Sequence, residues 1–181
     1  MRARRVVLAA LLLAANGVQH ESAAQVSASS ISRDTRHLKF TATLSSRVVA
    51  PGERLTMAVD IVPKRGMHVY APGSKYRPIR ITIDPHSFLM MGDPEYPRAS
   101  PYYFKPLNET VDVYQSPFRL RVEITVDRSA IARTQLRASS PITLKGALEY
   151  QACDDRVCYL PESVPFRWTL RVRQSGKTAL E

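Results

Sequence analysis

The only two cysteines of this 181-residue chain, Cys153 and Cys158, offer its most reactive chemistry. They lie in Glu149-Tyr150-Gln151-Ala152-Cys153-Asp154-Asp155-Arg156-Val157-Cys158-Tyr159-Leu160-Pro161. A thiol pair at this spacing can close a disulfide, exchange it with other thiols, or supply part of a metal sphere. Zinc is disfavoured, because a structural site takes four ligands and no histidine stands beside the pair. His37, His68 and His86 are remote in sequence and read as ordinary polar residues. If the chain reverses over Asp154 to Val157, the two cysteines become cross-strand neighbours about 5.5 Å apart at Cα, within disulfide range. Such a short ring removes only about 2 kcal/mol of unfolded-state freedom, so its value as a staple is small. The residues alone leave a structural and a redox role both open. Asp154 and Asp155 disfavour a thiolate and Arg156 partly offsets them. A disfavoured thiolate shifts the balance toward disulfide and makes the reduced form the better electron donor.

The elements that must position this pair show period two. Leu38, Phe40, Ala42 and Leu44 alternate with polar residues, as do Leu55, Met57, Val59 and Ile61. The pattern is cleanest from Phe118 to Val126 and recurs at Val164, Phe166, Trp168, Leu170 and Val172. These are half-buried strands. Shorter ones are expected at residues 67–71, 79–83 and 111–114, a long one at 142–152, and one helical turn at 129–136. About eight strands with little helical periodicity predict an all-β fold, an immunoglobulin-like antiparallel sandwich of two sheets over residues 37–173. Parity in the long strand sets Ile142, Leu144, Leu148 and Tyr150 toward the core. Cys153 then falls on the other face, which places its sulfur toward the surface. Residues 93–110 hold four prolines among Tyr96, Tyr102, Tyr103 and Phe104, and read as a long aromatic loop, either a lid or a cover for one end of the core.

The first residues indicate the compartment. Arg2, Arg4 and Arg5 precede an apolar run from Val6 to Ala15, followed by small residues at Ser22 and Ala24. This pattern predicts a secretory signal peptide over residues 1–24, too short in its apolar part to span a bilayer. No transmembrane segment is expected in the mature chain. Residues 25–36 read as a flexible lead-in and 174–181 as a flexible tail. Export to an oxidising compartment favours a disulfide. With 26 Lys and Arg against 16 Asp and Glu the chain carries +10, which falls to +8 without residues 1–24. The basic residues are dispersed and carry no nucleic-acid-binding motif, so nucleic acid is not an expected partner. They read mainly as a solvated surface that favours acidic partners or an anionic membrane face. No serine-histidine-acid motif or paired carboxylates point to a hydrolase.

Tyr150-Gln151-Ala152-Cys153 and Val157-Cys158-Tyr159-Leu160-Pro161 belong with two upstream segments, Gly66-Met67-His68-Val69-Tyr70-Ala71-Pro72-Gly73 and Asn108-Glu109-Thr110-Val111-Asp112-Val113-Tyr114. Together they resemble the N-terminal periplasmic domain of the thiol:disulfide interchange protein DsbD, from about Leu38 to Val172, nearly the whole mature chain. The resemblance implies an immunoglobulin-like fold and a periplasmic electron relay by thiol–disulfide exchange, with no metal or organic cofactor. Thioredoxin-like periplasmic proteins and a separate membrane electron donor are the implied partners. It further implies that Cys158 forms the mixed disulfide and Cys153 resolves it. Tyr70 matches an aromatic position near the family's active site, and His68 stands where a second tyrosine can occur. Gln151 and Tyr159 flank the pair. The family's protective cap loop falls within residues 100–110, so Tyr103 or Phe104 is expected to shield the sulfurs. The C-x4-C spacing is one residue shorter than in the best-known member, and the cap region is longer. The chain ends at Glu181 with neither a membrane domain nor a thioredoxin-like one, so the electron donor is expected to be a separate protein. The competing expectation is a binding module with a purely structural disulfide.

Overall fold

The structure, a computed structural model, describes residues 29–173. The expected leader at 1–24 and tail at 174–181 lie outside the described residues. In chain order the strands are β1 (Ser29–Asp34), β2 (Leu38–Leu44), β3 (Val48–Val49), β4 (Arg54–Pro63), β5 (His68–Tyr70), β6 (Arg80–Ile83) and β7 (Leu89–Met91). They continue with β8 (Ser100–Phe104), β9 (Glu109–Tyr114), β10 (Phe118–Val126), β11 (Ile142–Tyr150), β12 (Ala152–Cys153) and β13 (Glu162–Val172). A 3₁₀ turn occupies Lys105–Leu107, and helix α1 spans Ala130–Ala138.

The fold is an all-β, immunoglobulin-like sandwich. One sheet has the order β1-β2-β4-β10-β7, and the facing sheet has the order β3-β13-β11-β6. Alternation along the strands supplies the core between them. Leu38, Phe40, Ala42, Leu44, Met57, Val59, Ile61, Leu120, Val122 and Ile124 meet Leu144, Leu148, Phe166, Trp168 and Leu170, all buried. At the core-facing position of Gly146 the space is taken by the Phe166 ring and the Thr82 carbonyl. A Cβ there would lie 2.7 Å from Phe166 Cε2 and would also run into the carbonyl. Only glycine lets β11 approach β6 and β13 this closely.

Three features depart from the sequence reading. A third, smaller sheet, β12-β5-β9-β8, sits at one end of the sandwich. It absorbs part of the expected aromatic loop, because Ser100–Phe104 pairs with β9 as an edge strand. Pro101 is compatible with that edge position, where a missing N–H costs no ladder bond. Residues 29–34, expected within a flexible lead-in, form an edge strand in register with β2 from Ser29↔Leu44 to Asp34↔Lys39. Its side chains are mostly exposed, so backbone hydrogen bonding holds it and no apolar alternation marks it. The short β3 pairs parallel with β13, the one parallel contact among otherwise antiparallel pairs of the described residues.

Candidate redox site

Cysteine placement follows from a break in the long strand expected over 142–152. β11 ends at Tyr150, and after Gln151 the chain crosses to the small sheet, where β12 pairs with β5 as Ala152↔Val69 and Cys153↔His68. Ala152 faces the main core and Cys153 the opposite side, so strand parity assigns the side correctly. The expected exposure of that sulfur does not hold. Cys153 is 0% exposed, because this face of the small sheet carries its own apolar cluster of Tyr70 and Val113, backed by Tyr76, Tyr102 and Val111. A type II-like turn delivers β5 to this place: Met67 N–H donates to the Lys64 carbonyl at 2.8 Å, and Gly66 at φ 78° supplies the left-handed position.

Cys158 returns beside Cys153 in a tight hairpin. Asp154 N–H donates to the Val157 carbonyl at 3.0 Å and Tyr159 N–H to the Ala152 carbonyl at 2.9 Å. The cysteines between those bonds form a non-hydrogen-bonded antiparallel pair, the closer of the two kinds, with Cα atoms 4.1 Å apart. The 5.5 Å expected from sequence belongs to the other kind. The disulfide Cys153–Cys158 is formed. Its two cysteines differ in exposure: Cys153 is a buried residue and Cys158 an exposed one.

Asp154 organises the loop. Its Oδ1 accepts the N–H groups of Arg156 and Val157, each at 2.8 Å, and its Oδ2 accepts the Tyr159 hydroxyl at 2.9 Å. These bonds, the Val157 N–H foremost, hold its carboxyl below the usual carboxylate range. Gln151 Nε2 donates to the Tyr159 carbonyl at 3.0 Å and ties the crossover to the returning strand. The Tyr159 ring lies 4.4 Å from the His37 ring and 5.2 Å from the Arg36 guanidinium. His37 Nδ1 is 2.7 Å from Glu162 Oε1, and Glu162 Oε2 accepts the Tyr150 hydroxyl at 2.6 Å. A chain of polar contacts thus links the cysteine loop to the start of β13.

Tyr70 occupies the centre. Its hydroxyl lies 3.2 Å from Sγ of Cys158 and 3.2 Å from Sγ of Cys153. A disulfide has no proton, so the tyrosine O–H is the donor. Burial, with smaller contributions from Tyr76, Glu109 and Tyr102, pushes this hydroxyl up to about 12, so it keeps its proton at neutral pH. The Tyr76 ring stacks on Tyr70 with centroids 4.6 Å apart. Tyr76 donates its hydroxyl to Glu109, which also pairs with Lys75. Those two partners, Lys75 first, hold the Glu109 carboxyl below its ordinary range.

His68 lies on the same face, its ring 4.3 Å from Tyr102 and edge-on to Tyr70 at 6.0 Å. Burial lowers its pKa, and the charge of Asp154 partly opposes the shift. Its Nε2 is buried with no hydrogen-bond partner among the described residues.

The cap residues divide by parity. In β8 the register Tyr102↔Val111 puts Tyr102 on the cysteine face, whereas Tyr103↔Thr110 turns Tyr103 to the other. Tyr103 is half exposed and donates its hydroxyl to Asn108 Oδ1 at 2.7 Å. Phe104 is buried but stands outside the cluster around Cys153. The residues packed over the buried sulfur's cluster are therefore Tyr76 and Tyr102 rather than the expected Tyr103 or Phe104. Tyr102 is recoverable from sequence only once the β8–β9 register is known. His37 and Glu162, remote in sequence from each other, carry no signal that brings them together.

The sequence model described as "Thiol:disulfide interchange protein DsbD, N-terminal" matches residues 38–168. The chain belongs to the DsbD N-terminal domain family. The DsbD-type match runs from the first residue of β2 into β13 and includes both cysteines together with His68, Tyr70, Tyr76, Tyr102 and Glu109. Among solved structures, the N-terminal periplasmic domain of ScsB from Proteus mirabilis is similar, with a TM-score of 0.52 and 16% identity. That similarity covers 81% of this chain and 50% of the other, so the chain spans about half the length of that structure and shares its fold. A family 123 glycoside hydrolase from Clostridium perfringens is more distant, with a TM-score of 0.37 at 10% identity over 69% of this chain and 22% of that one. No curated protein matches the chain. Among the described residues no helix is long and apolar enough to cross a membrane, and no cluster of three or more potential metal ligands occurs.

Proposed function

We propose that this protein is a periplasmic thiol–disulfide exchange protein that relays reducing equivalents through Cys153 and Cys158. The donor in this reading is a membrane or thioredoxin-like protein, and the acceptors are oxidised partner proteins. The observation that carries it is the unequal exposure of the two cysteines of one disulfide, Cys158 an exposed residue and Cys153 a buried one. A staple has no need of that inequality, but a relay does.

In the reducing direction, the Cys158 thiolate attacks one sulfur of a partner disulfide, and the partner's other sulfur leaves as a thiolate and takes up a proton. Cys153 then loses its proton and attacks Cys158. The mixed disulfide breaks, the partner leaves with two thiols, and the Cys153–Cys158 disulfide forms. The pair is oxidised by two electrons and the partner reduced by two. A reduced donor reverses the sequence by attacking Cys158 first. Tyr70 can donate its hydroxyl to whichever sulfur carries charge, which favours the thiolate. Val157, 50% exposed, and Leu160, 86% exposed, flank Cys158 and offer a partner apolar contact beside the reacting sulfur. Export through a leader at residues 1–24 would bring the protein to these partners.

The test is to express Cys153→Ala with its leader and capture the proteins held through Cys158. Mixed disulfides with thioredoxin-like proteins that are absent from Cys158→Ala support the relay. Capture of none, together with a wild-type disulfide that resists dithiol exchange, returns the protein to a binding module with a structural disulfide.

A further inference from the structure

The outer face of the β3-β13-β11-β6 sheet is uneven in charge. Near the redox end Arg80 is matched by Glu149, at 2.6 Å. Farther along, Lys145 and Arg167 stand directly opposite each other in the β11–β13 register, both exposed. Like charges in that position repel and lower sheet stability. Arg171 follows on the same face of β13, with Thr143 and Thr169 as the only cross-strand pair between. Among the described residues Lys145, Arg167 and Arg171 make no ion pair.

The strip continues into a cleft at the end of β13, lined by Arg133 and Arg137 of α1 and by Arg173. Of the acids nearby, Glu53 pairs with Arg173 at 3.2 Å, and both carboxylate oxygens of Asp127 are taken by Ser129. Asp84, at the β6 edge beside Lys145, is the remaining counter-charge. A cationic surface is thus laid out along β13 away from Glu162. The redox hairpin departs from the opposite end, roughly 30 Å back along the strand at 3.3 Å per residue.

We propose that this strip, from Lys145 and Arg167 through Arg171 to the arginine cleft, docks the protein on an anionic phospholipid surface. A flat sheet face can set several cations against headgroups at once, and each basic side chain near such a surface adds to the attraction. The like-charge pair of Lys145 and Arg167, a liability in free solution, gains its counter-charge on docking. Cys158 stays accessible, because its hairpin lies at the other end.

The experiment uses the purified protein as recovered after export, sedimented with vesicles of phosphatidylglycerol or of phosphatidylcholine. The expected result is binding to phosphatidylglycerol at low salt, release at about 0.5 M salt where screening is strong, and no binding to phosphatidylcholine. K145E/R167E/R171E should weaken that binding by at least about tenfold. Its rate of disulfide reduction by dithiothreitol should be unchanged, which reports an intact fold. R133E/R137E, on the helix alone, should weaken binding less but in the same direction, and serves if the triple variant does not fold. Equal sedimentation with both lipids, no sedimentation with either, or undiminished binding by the folded charge-reversed variants overturns the proposal. So does binding to polyglutamate without binding to phosphatidylglycerol, which would assign the face to an acidic protein.

Discussion

Removing one oxygen atom, in Tyr70→Phe, tests how this site controls its sulfurs. The hydroxyl is 3.2 Å from both, its ring is buried, and its raised pKa keeps it a donor through the physiological range. In the disulfide it meets weak neutral acceptors, so the oxidised protein loses little. In the reduced protein the acceptor is a thiolate, and a hydrogen bond to a charged group contributes about 1.5 to 3 kcal/mol. Cys158 is exposed, and water replaces part of what is lost, so the lower figure applies. About 1.4 kcal/mol is tenfold, so the thiolate population of Cys158 at neutral pH should fall about tenfold. The assay is iodoacetamide alkylation of Cys158 in a Cys153→Ala background from pH 5 to 10. Tyr70→Phe should slow alkylation about tenfold at neutral pH, with the two rates converging where the thiol is fully ionised. Tyr103→Phe is the control, since that hydroxyl points to Asn108 on the other face of β8, and should leave the rate unchanged. Equal or faster alkylation of Tyr70→Phe at neutral pH would refute the role assigned to this hydroxyl.

Other perturbations address the scaffold and the apolar partner contact beside Cys158. Gly146→Ala should destabilise the domain by about 1 to 3 kcal/mol through overpacking against Thr82 and Phe166, read as a lower thermal midpoint. Asp154 has a depressed folded-state pKa, so its contribution to stability is present above its unfolded pKa and lost as pH falls through the folded one. The urea midpoint of Asp154→Asn should therefore lie below that of wild type at pH 7, and the gap should narrow as pH drops below the ordinary carboxylate range. A gap that widens on acidification would contradict the hydrogen-bonding role of this carboxylate. Leu160→Asp should slow exchange with a thioredoxin-like protein while leaving reduction by dithiothreitol unchanged, as measured by single-turnover kinetics. Equal slowing of both reactions would mean that Leu160 supports the hairpin rather than the partner.

The strands that build the sandwich were legible because their chemistry is one-sided. Phe118 to Val126 alternates so cleanly that its strand and its buried residues follow from polarity alone. β1 was not legible, since its hold on β2 is made of backbone hydrogen bonds that any sequence can form. The small sheet was half visible: β5 and β9 appear as short apolar runs, but β8 is hidden by Pro101 and by aromatics that also suit a loop. That gap propagates to the site. Parity in the expected strand gave the correct side for Cys153, but its burial depends on Tyr70, Tyr76 and Tyr102 converging from three separate segments. Period two within one strand carries no information about such a convergence. The same limit explains Tyr103, which the family resemblance suggested as a shield and which register with Thr110 turns to the other face.

Unequal reactivity of two sulfurs is the central claim, and paired single-cysteine proteins test it most directly. Cys153→Ala and Cys158→Ala can each be reacted with an oxidised thioredoxin-like protein under identical conditions, and the initial rate of mixed-disulfide formation measured by mass spectrometry after acid quench. Cys158 in the first protein should form the adduct at least about a hundredfold faster than Cys153 in the second, because thiol exchange depends on access as well as on thiolate character. Equal rates, or a faster reaction at Cys153, would contradict the assignment of an outer attacking sulfur and an inner resolving one.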